Sequence, residues 1–318
     1  MKKNFKSYKK YIINVARNKY PDIRKRKYPL EYYLNNFVYM LNDLVKWSAL
    51  KLVHKSLKVL RTWYLTIIGK KSMILTLKFK ELWGNLFITN SKKWSSDSVF
   101  KEAYNSFLQN EYFKISYVRR DKKINLFIDA TKIYNKYGSD KIGVNFENKK
   151  KNVTVLTGIC DDNKIPLAFE YMDTHLSKTK SGRNKIKHDL NGVQPTLNNI
   201  PVTFKKYINV KLIGDKGYIT PKKFNIGDRK IGIIYPKRKN QKKKNTVIEK
   251  RVLKKRHKIE NVFASIKKYS RINVRKDRKI IHYIPFTYIG LFDYLFKIIF
   301  LVHAEGTPFF ISTLFLRL

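Results

Sequence analysis

The chain has 318 residues, enough for one large or two modest domains around a core of ordinary size. Lys and Arg number 69 against 23 Asp and Glu, a formal net charge of +46. That surplus points to a polyanionic partner, nucleic acid or an anionic membrane surface. With 43% hydrophobic and 14% aromatic residues, the chain is no disordered basic tail. Its single cysteine, Cys160, excludes an internal disulfide and a Cys-cluster zinc site.

The N-terminal MKKNFKSYKK has the charge of a secretion signal, but the apolar stretch after it, YIINVA, is too short. Residues 1–30 are basic and weakly patterned. From 31 to about 65, Leu34, Phe37, Val38, Leu41, Leu44 and Val45 recur at three- and four-residue spacing and predict helix. Residues 66–90 fit no element clearly. Ser96 or Asp97 can cap a helix whose apolar face is Val99, Phe100, Ala103, Tyr104, Phe107 and Leu108. Residues 1–118 are therefore expected to form a helical, basic, DNA-binding domain.

After RRDKK the texture changes. INLFIDATKI, KKNVTVLTGICD and KIPLAFEYMD predict three antiparallel strands, the last two joined by the turn-forming Asp161-Asp162-Asn163. A polar loop at 173–187 leads to a helix near 188–199. Then come the strand INVKLIGD, a short helix after Tyr218, the strand KIGIIYP ended by Pro236, and a helix from about 249 to 270. The predicted order over 124–270 is β-β-β-α-β-α-β-α. The tract 237–258 holds twelve Lys or Arg and one Glu; it reads as a DNA contact, a nuclear-import signal or a solvated loop. The run YIPFTYIGLFDYLFKIIFLV (283–302) approaches membrane-spanning length, but Asp293 and Lys297 inside it favour a packed C-terminal helix.

Asp129 and Asp215 each end or punctuate an apolar strand. A buried carboxylate is costly unless paired, protonated or bound to metal. Either aspartate alone reads equally well as a turn cap; two at strand ends in one α/β domain favour a shared site. In the last helix Ile259, Val262, Phe263 and Ile266 form an apolar stripe, with Glu260 at its edge. At 3.6 residues per turn, Arg256, Glu260 and Lys267 fall within about 40° of one another. That face is either a solvated ion-pair ladder or a site whose surplus cations are free for phosphates.

These residues resemble the DDE-type insertion-sequence transposases, with Harbinger-like relatives, over about 120–295. The motif Asp215-Lys216-Gly217-Tyr218 resembles the family's Asp-x-Gly-Tyr. Arg256, Glu260 and Lys267 resemble its Tyr-x2-Arg-x3-Glu-x6-Lys pattern, with Leu253 where that pattern has tyrosine. The resemblance implies an α/β, RNase H-like catalytic domain over 119–303, a mixed five-stranded sheet flanked by helices, as in retroviral integrases. Residues 304–318 would be a tail.

The resemblance further implies that Asp129, Asp215 and Glu260 are catalytic and hold two Mg2+ ions, Asp129 bridging both, with Mn2+ able to substitute. Such a pair suits hydrolysis of a phosphodiester and then strand transfer by a DNA 3′-hydroxyl. Arg256, Lys267, Lys237, Arg238, Lys239 and Arg271 would contact DNA. Tyr218 would stack on a base, bond a phosphate or pack in the core. His188 and Asp189 invite a catalytic role, though a helix N-terminal position also explains the acid; His257 points away from the Glu260 face. The partners implied are double-stranded DNA, at element ends and target, and a homodimer or higher assembly. The setting implied is intracellular and DNA-associated, without membrane. Two other readings remain: a captured or decayed transposase that only binds DNA, and a structural basic protein such as an RNA-packaging component.

Overall fold

The computed structural model describes residues 11–15, 18, 99–116, 123–145, 151–178, 184–186, 188–204, 208–238 and 244–304. The helix expected over 31–65, the unassigned stretch 66–90, Lys239 and the tail after Ala304 lie outside the described residues.

Among the described residues, ten strands join through pairing into one mixed sheet. Its centre is β1 (Ile124–Asn135), β3 (Lys151–Cys160), β4 (Pro166–Tyr171), β7 (Val210–Ile213) and β9 (Arg229–Ile234). In space these run β4-β3-β1-β7-β9, with β3 antiparallel to both β1 and β4, and β7 parallel to both β1 and β9. This mixed α/β arrangement is compatible with an RNase H-like core. The first half of β1 is buried on both faces, as a central strand requires, and it begins to open at Asp129.

Additions extend the sheet. β2 (Gly143–Asn145) pairs with the start of β3, and β6 (Asn184–Ile186) joins β2 to β5 (Thr174–Lys178). The expected loop at 173–187 therefore contains a strand pair. The short helix expected after Tyr218 is also absent. A single 3-10 turn, Lys216–Tyr218, is followed by β8 (Lys223–Ile226), which forms a hairpin with β9. Alternating burial of Phe224 and Ile226 makes KFNI a strand, and Gly227 (φ 54°) supplies the left-handed residue that its two-residue turn needs.

The helices cover the sheet. α1 (Val99–Ile115), placed by sequence in the first domain, packs into the same core as the sheet. Tyr104 lies edge-on to Phe292 at 5.0 Å and donates its hydroxyl to the Pro166 carbonyl at 2.6 Å. Tyr112 donates to Asp161 at 3.1 Å. Asp161 also accepts the Asn163 and Ile165 amides at 2.9 and 2.8 Å, closing the β3–β4 turn. Burial pushes the Asp161 carboxyl up to about 7. Tyr11, within the helical residues 11–15, meets Phe107 edge-on at 5.0 Å.

The 3-10 turn Asp189–Gly192 and α2 (Val193–Asn198) fill the expected helix near 188–199. The helix expected over 249–270 is broken. α3 (Val247–Leu253) opens with a capping box between Thr246 and Glu249; a 3-10 turn, Lys254–Arg256, then joins it to α4 (His257–Ile266). α5 (Ser270–Asn273) and β10 (Val274–Arg275), parallel to the end of β1, lead into α6 (Ile280–Ala304). α6 is a packed helix: Asp293 is fully buried, paired with Lys297 at 2.7 Å and hydrogen-bonded by Tyr269. No helix among the described residues is long and apolar enough to cross a membrane.

Candidate active site

β7 is shorter than β1, and that difference opens the site. The two pair only from Ile124↔Val210 to Phe127↔Ile213. β7 then stops, while β1 runs on past Asp129 with one edge uncovered. Asp215, two residues beyond β7, caps the 3-10 turn that follows: its Oδ1 accepts the Gly217 amide at 2.7 Å. The two aspartates thus sit near the point where neighbouring parallel strands part, where sites gather in α/β sheets.

The third acid arrives from the facing layer. Asp129 pairs across the sheet with Gly158. A Cβ there would lie 2.5 Å from the Phe169 ring and 3.0 Å from the Phe263 ring, so glycine leaves room for the ring pair that seats α4. Phe263 packs edge-to-face on Phe169 at 6.0 Å, and Ile259, Val262 and Ile266 are buried beside it. The expected stripe is therefore the docking face, and docking it brings Arg256 and Glu260 over Asp129. Arg256 donates to Glu260 at 2.6 Å and lies 3.5 Å from Asp129.

Asp129 feels all of this. Burial pushes its carboxyl up to about 6, and the negative charges of Asp215 and Glu260 add to the push. The Ala130 amide, donated to its Oδ1 at 2.9 Å, and Arg256 oppose it. Tyr218 lies behind the group. It is fully buried, its hydroxyl has no hydrogen-bond partner, and burial holds it well above the usual tyrosine range, with Asp189, Asp129 and Asp215 adding. The structure thus brings Asp189 to the same neighbourhood, through the 3-10 turn that it begins. His188 is exposed and caps that turn, its Nδ1 accepting the Leu190 amide at 3.3 Å.

The other sequence candidates divide. Lys267 does not stay beside Glu260: it follows the end of α4, and its Nζ donates to the Lys132 carbonyl on β1 at 2.9 Å. Burial lowers its pKa. Arg271, expected among the DNA contacts, is instead buried and paired with Asp277 at 2.7 Å, its guanidinium over Phe286. A cation at 1% exposure cannot reach a phosphate. Lys237 stacks over Tyr235 at 4.1 Å, and Arg238 is exposed. His257 is exposed and bonded to the Lys254 carbonyl. The reach of Arg256 to Asp129 was missed. Its only sequence signal was the four-residue spacing to Glu260.

Three carboxylates that influence one another are the donor set a hard divalent cation prefers. Among the described residues, no group of three or more His, Cys, Asp or Glu side chains is gathered closely enough to hold a metal ion. A guanidinium instead bridges Asp129 and Glu260 as a stand-in cation. The donors fit a metal in kind, with Arg256 holding the place of the positive charge.

Comparison with known proteins adds one finding. The sequence model of the family described as transposase DDE domain matches residues 189–280, which is 92 of the 318 residues and includes Asp215, Arg256, Glu260 and Lys267. No curated protein and no solved structure matches the chain. Such domains act on DNA and depend on divalent metal. Over that segment the chain is similar to the DDE domain of transposases.

Proposed function

We propose that the chain binds the ends of a mobile element and catalyses metal-dependent phosphodiester hydrolysis and strand transfer on DNA, with Asp129, Asp215 and Glu260 as the metal-holding acids. The observation that carries this reading is the state of Asp129. A half-buried carboxyl is pushed up to about 6 with two further acids adding to the push, and one bridging arginine is its counter-charge. Burial raises the structural carboxyl of Asp161 as well, to about 7, but its oxygens receive two amides and a hydroxyl, whereas those of Asp129 receive one amide and a shared guanidinium.

Two Mg2+ ions, when bound, supply an activated hydroxyl nucleophile and stabilise the departing oxygen. The chain's own residues do the rest. Arg256 would exchange its carboxylates for a DNA phosphate, for which a planar guanidinium is well shaped. Lys237, Arg238 and Lys239 would hold the backbone beyond the site. Tyr218 would support the Asp215 turn from below, since its buried ring cannot stack on a base. The chain would work inside the cell, as a dimer or higher assembly on DNA.

The test is nicking of a labelled duplex, taken from the DNA that flanks the coding sequence, in Mg2+ and in Mn2+. Glu260→Gln should abolish cleavage and leave duplex affinity equal or slightly higher. Gln keeps the helix packing and removes one negative charge beside Arg256. Wild-type levels of cleavage by this variant would remove Glu260 from the acid set. A second reading, a captured transposase that only binds DNA, is favoured by the ungathered carboxylates. It prevails if the wild-type chain binds duplex but never cleaves it.

A further inference from the structure

Beyond the acid site β1 continues to Asn135, its end paired with β3 on one edge and β10 on the other, and the chain then turns back to Asp140. This turn is held rigidly. The Gly138 amide donates to Asn135 Oδ1 at 3.0 Å, and Asn135 Nδ2 donates back to the Gly138 carbonyl at 3.3 Å. A Cβ on Gly138 would lie 2.7 Å from Arg275 Cζ. Arg275, fully buried beneath, donates to the carbonyls of Asp140, Asp277 and Arg278 at 2.7, 3.0 and 3.0 Å. It also pairs with the Asp140 carboxylate, which accepts the Ile280 amide at the start of α6. The turn and the 275–280 segment run side by side, joined by the amides of Lys136 and Ser139.

The surface of this rigid corner is unusual. Tyr134, Tyr137 and Ile281 are 43%, 45% and 42% exposed, three of the five large hydrophobic residues exposed among those described. Lys132, Lys136, Arg278 and Lys279 are exposed around them, and Lys136 sits 5.2 Å from the Tyr137 ring. The acid of the corner, Asp140, is spent inward on Arg275. A duplex offers phosphates to such cations but keeps its base faces stacked. An unpaired strand offers both, and aromatic rings among cations are the usual means of holding one.

We propose that the corner formed by Tyr134, Tyr137 and the first turn of α6 is a platform for unpaired nucleotides, with the tyrosines stacking on bases and the surrounding cations on phosphates. It rests on the proposed function only in taking the strand to be DNA freed near the acid site. Tyr134 is five residues beyond Asp129 on the same strand, about 17 Å away. Side chains alternate along the unbroken strand, so Tyr134 faces the other side of the sheet from Asp129, and a freed strand would reach it by passing over the sheet edge at the end of β1.

The test uses the full chain without metal, a short labelled oligothymidylate and a labelled hairpin duplex. Tyr134→Ala with Tyr137→Ala should weaken oligothymidylate binding by about a hundredfold, about tenfold per ring, and change duplex affinity by less than about twofold. The loss should be the same at low and high salt, because stacking releases no counterions. Tyr→Phe at both positions should restore wild-type affinity, since the rings remain. Unchanged oligothymidylate binding overturns the platform. So does an equal loss on duplex, or a double variant whose only defect is a lost oligomer by sedimentation, which would make the corner a contact between copies. Because binding is read without metal, failure of wild type to cleave sinks the proposed function and leaves this result standing, and the reverse also holds.

Discussion

β1 carries two charged centres, and they are built on opposite terms. At its end, Arg275 is fully buried, and each group it donates to is fixed backbone, the Thr154 hydroxyl or the Asp140 carboxylate. At its middle, Arg256 is 29% exposed and shared between Asp129 and Glu260, itself 46% exposed. Burying a charge costs several kcal/mol unless its hydrogen-bonding capacity is filled. The end centre fills it and locks turn, strand and helix together. The middle centre leaves its acids under-satisfied beside an opening. Saturation marks the first charge as structural, and its absence marks the second as available for a ligand.

The largest expected effect falls on the lock. Arg275→Met should destabilise the fold by roughly 3–5 kcal/mol, since the Asp140 carboxylate and three carbonyls lose a buried donor. Urea unfolding would show it as a fall in midpoint. A loss under about 1 kcal/mol would mean that the two centres do not differ in kind.

Asp129→Asn should do the opposite. The folded carboxyl is raised to about 6 from an ordinary 3.8. The fold therefore prefers the protonated form. The stability this gives is fully present below about 3.8 and is lost as pH rises through 6. Asn escapes that loss, so the variant should exceed wild type by roughly 1–3 kcal/mol at neutral pH, with the gap closing towards pH 4. Unfolding midpoints across that range measure it, and strand cleavage should disappear in the same protein. A variant no more stable than wild type at pH 7 would show Asp129 to be as well satisfied as Asp140.

Arg256→Ala should have the smallest effect on stability, under about 1 kcal/mol, because the pair is partly exposed and screened. Duplex affinity should fall several-fold in a titration, with a slope against log salt shallower by about one. An unchanged slope would mean that Arg256 serves only its two carboxylates.

Much of this was local enough to read in the sequence. The apolar, β-branched runs of β1, β3, β4, β7 and β9 identify strands wherever they lie. The Asp161–Asn163 turn and the Ile259/Val262/Phe263/Ile266 stripe follow from residue type and period alone. So does the placing of Asp215 just past a strand and Glu260 on a late helix, whereas Asp129, expected at a strand end, lies in the middle of β1, which runs on to Asn135. KFNI after the 3-10 turn is different: four residues are too few for a period to show, and its identity as β8 comes from pairing with β9.

The tertiary structure decided which charges are spent. Arg256, Arg271 and Arg275 look alike in a chain with 69 cations. One bridges two acids of the site, one is buried against Asp277 and one locks a turn 135 residues away at Asp140. It also placed α1 in the core of the sheet and sent Lys267 to the β1 backbone rather than to Glu260. The physical reason is common to all of these. Periodicity and turn chemistry are set by neighbours along the chain, whereas burial and the partner of a long charged side chain are set by segments that only folding brings together.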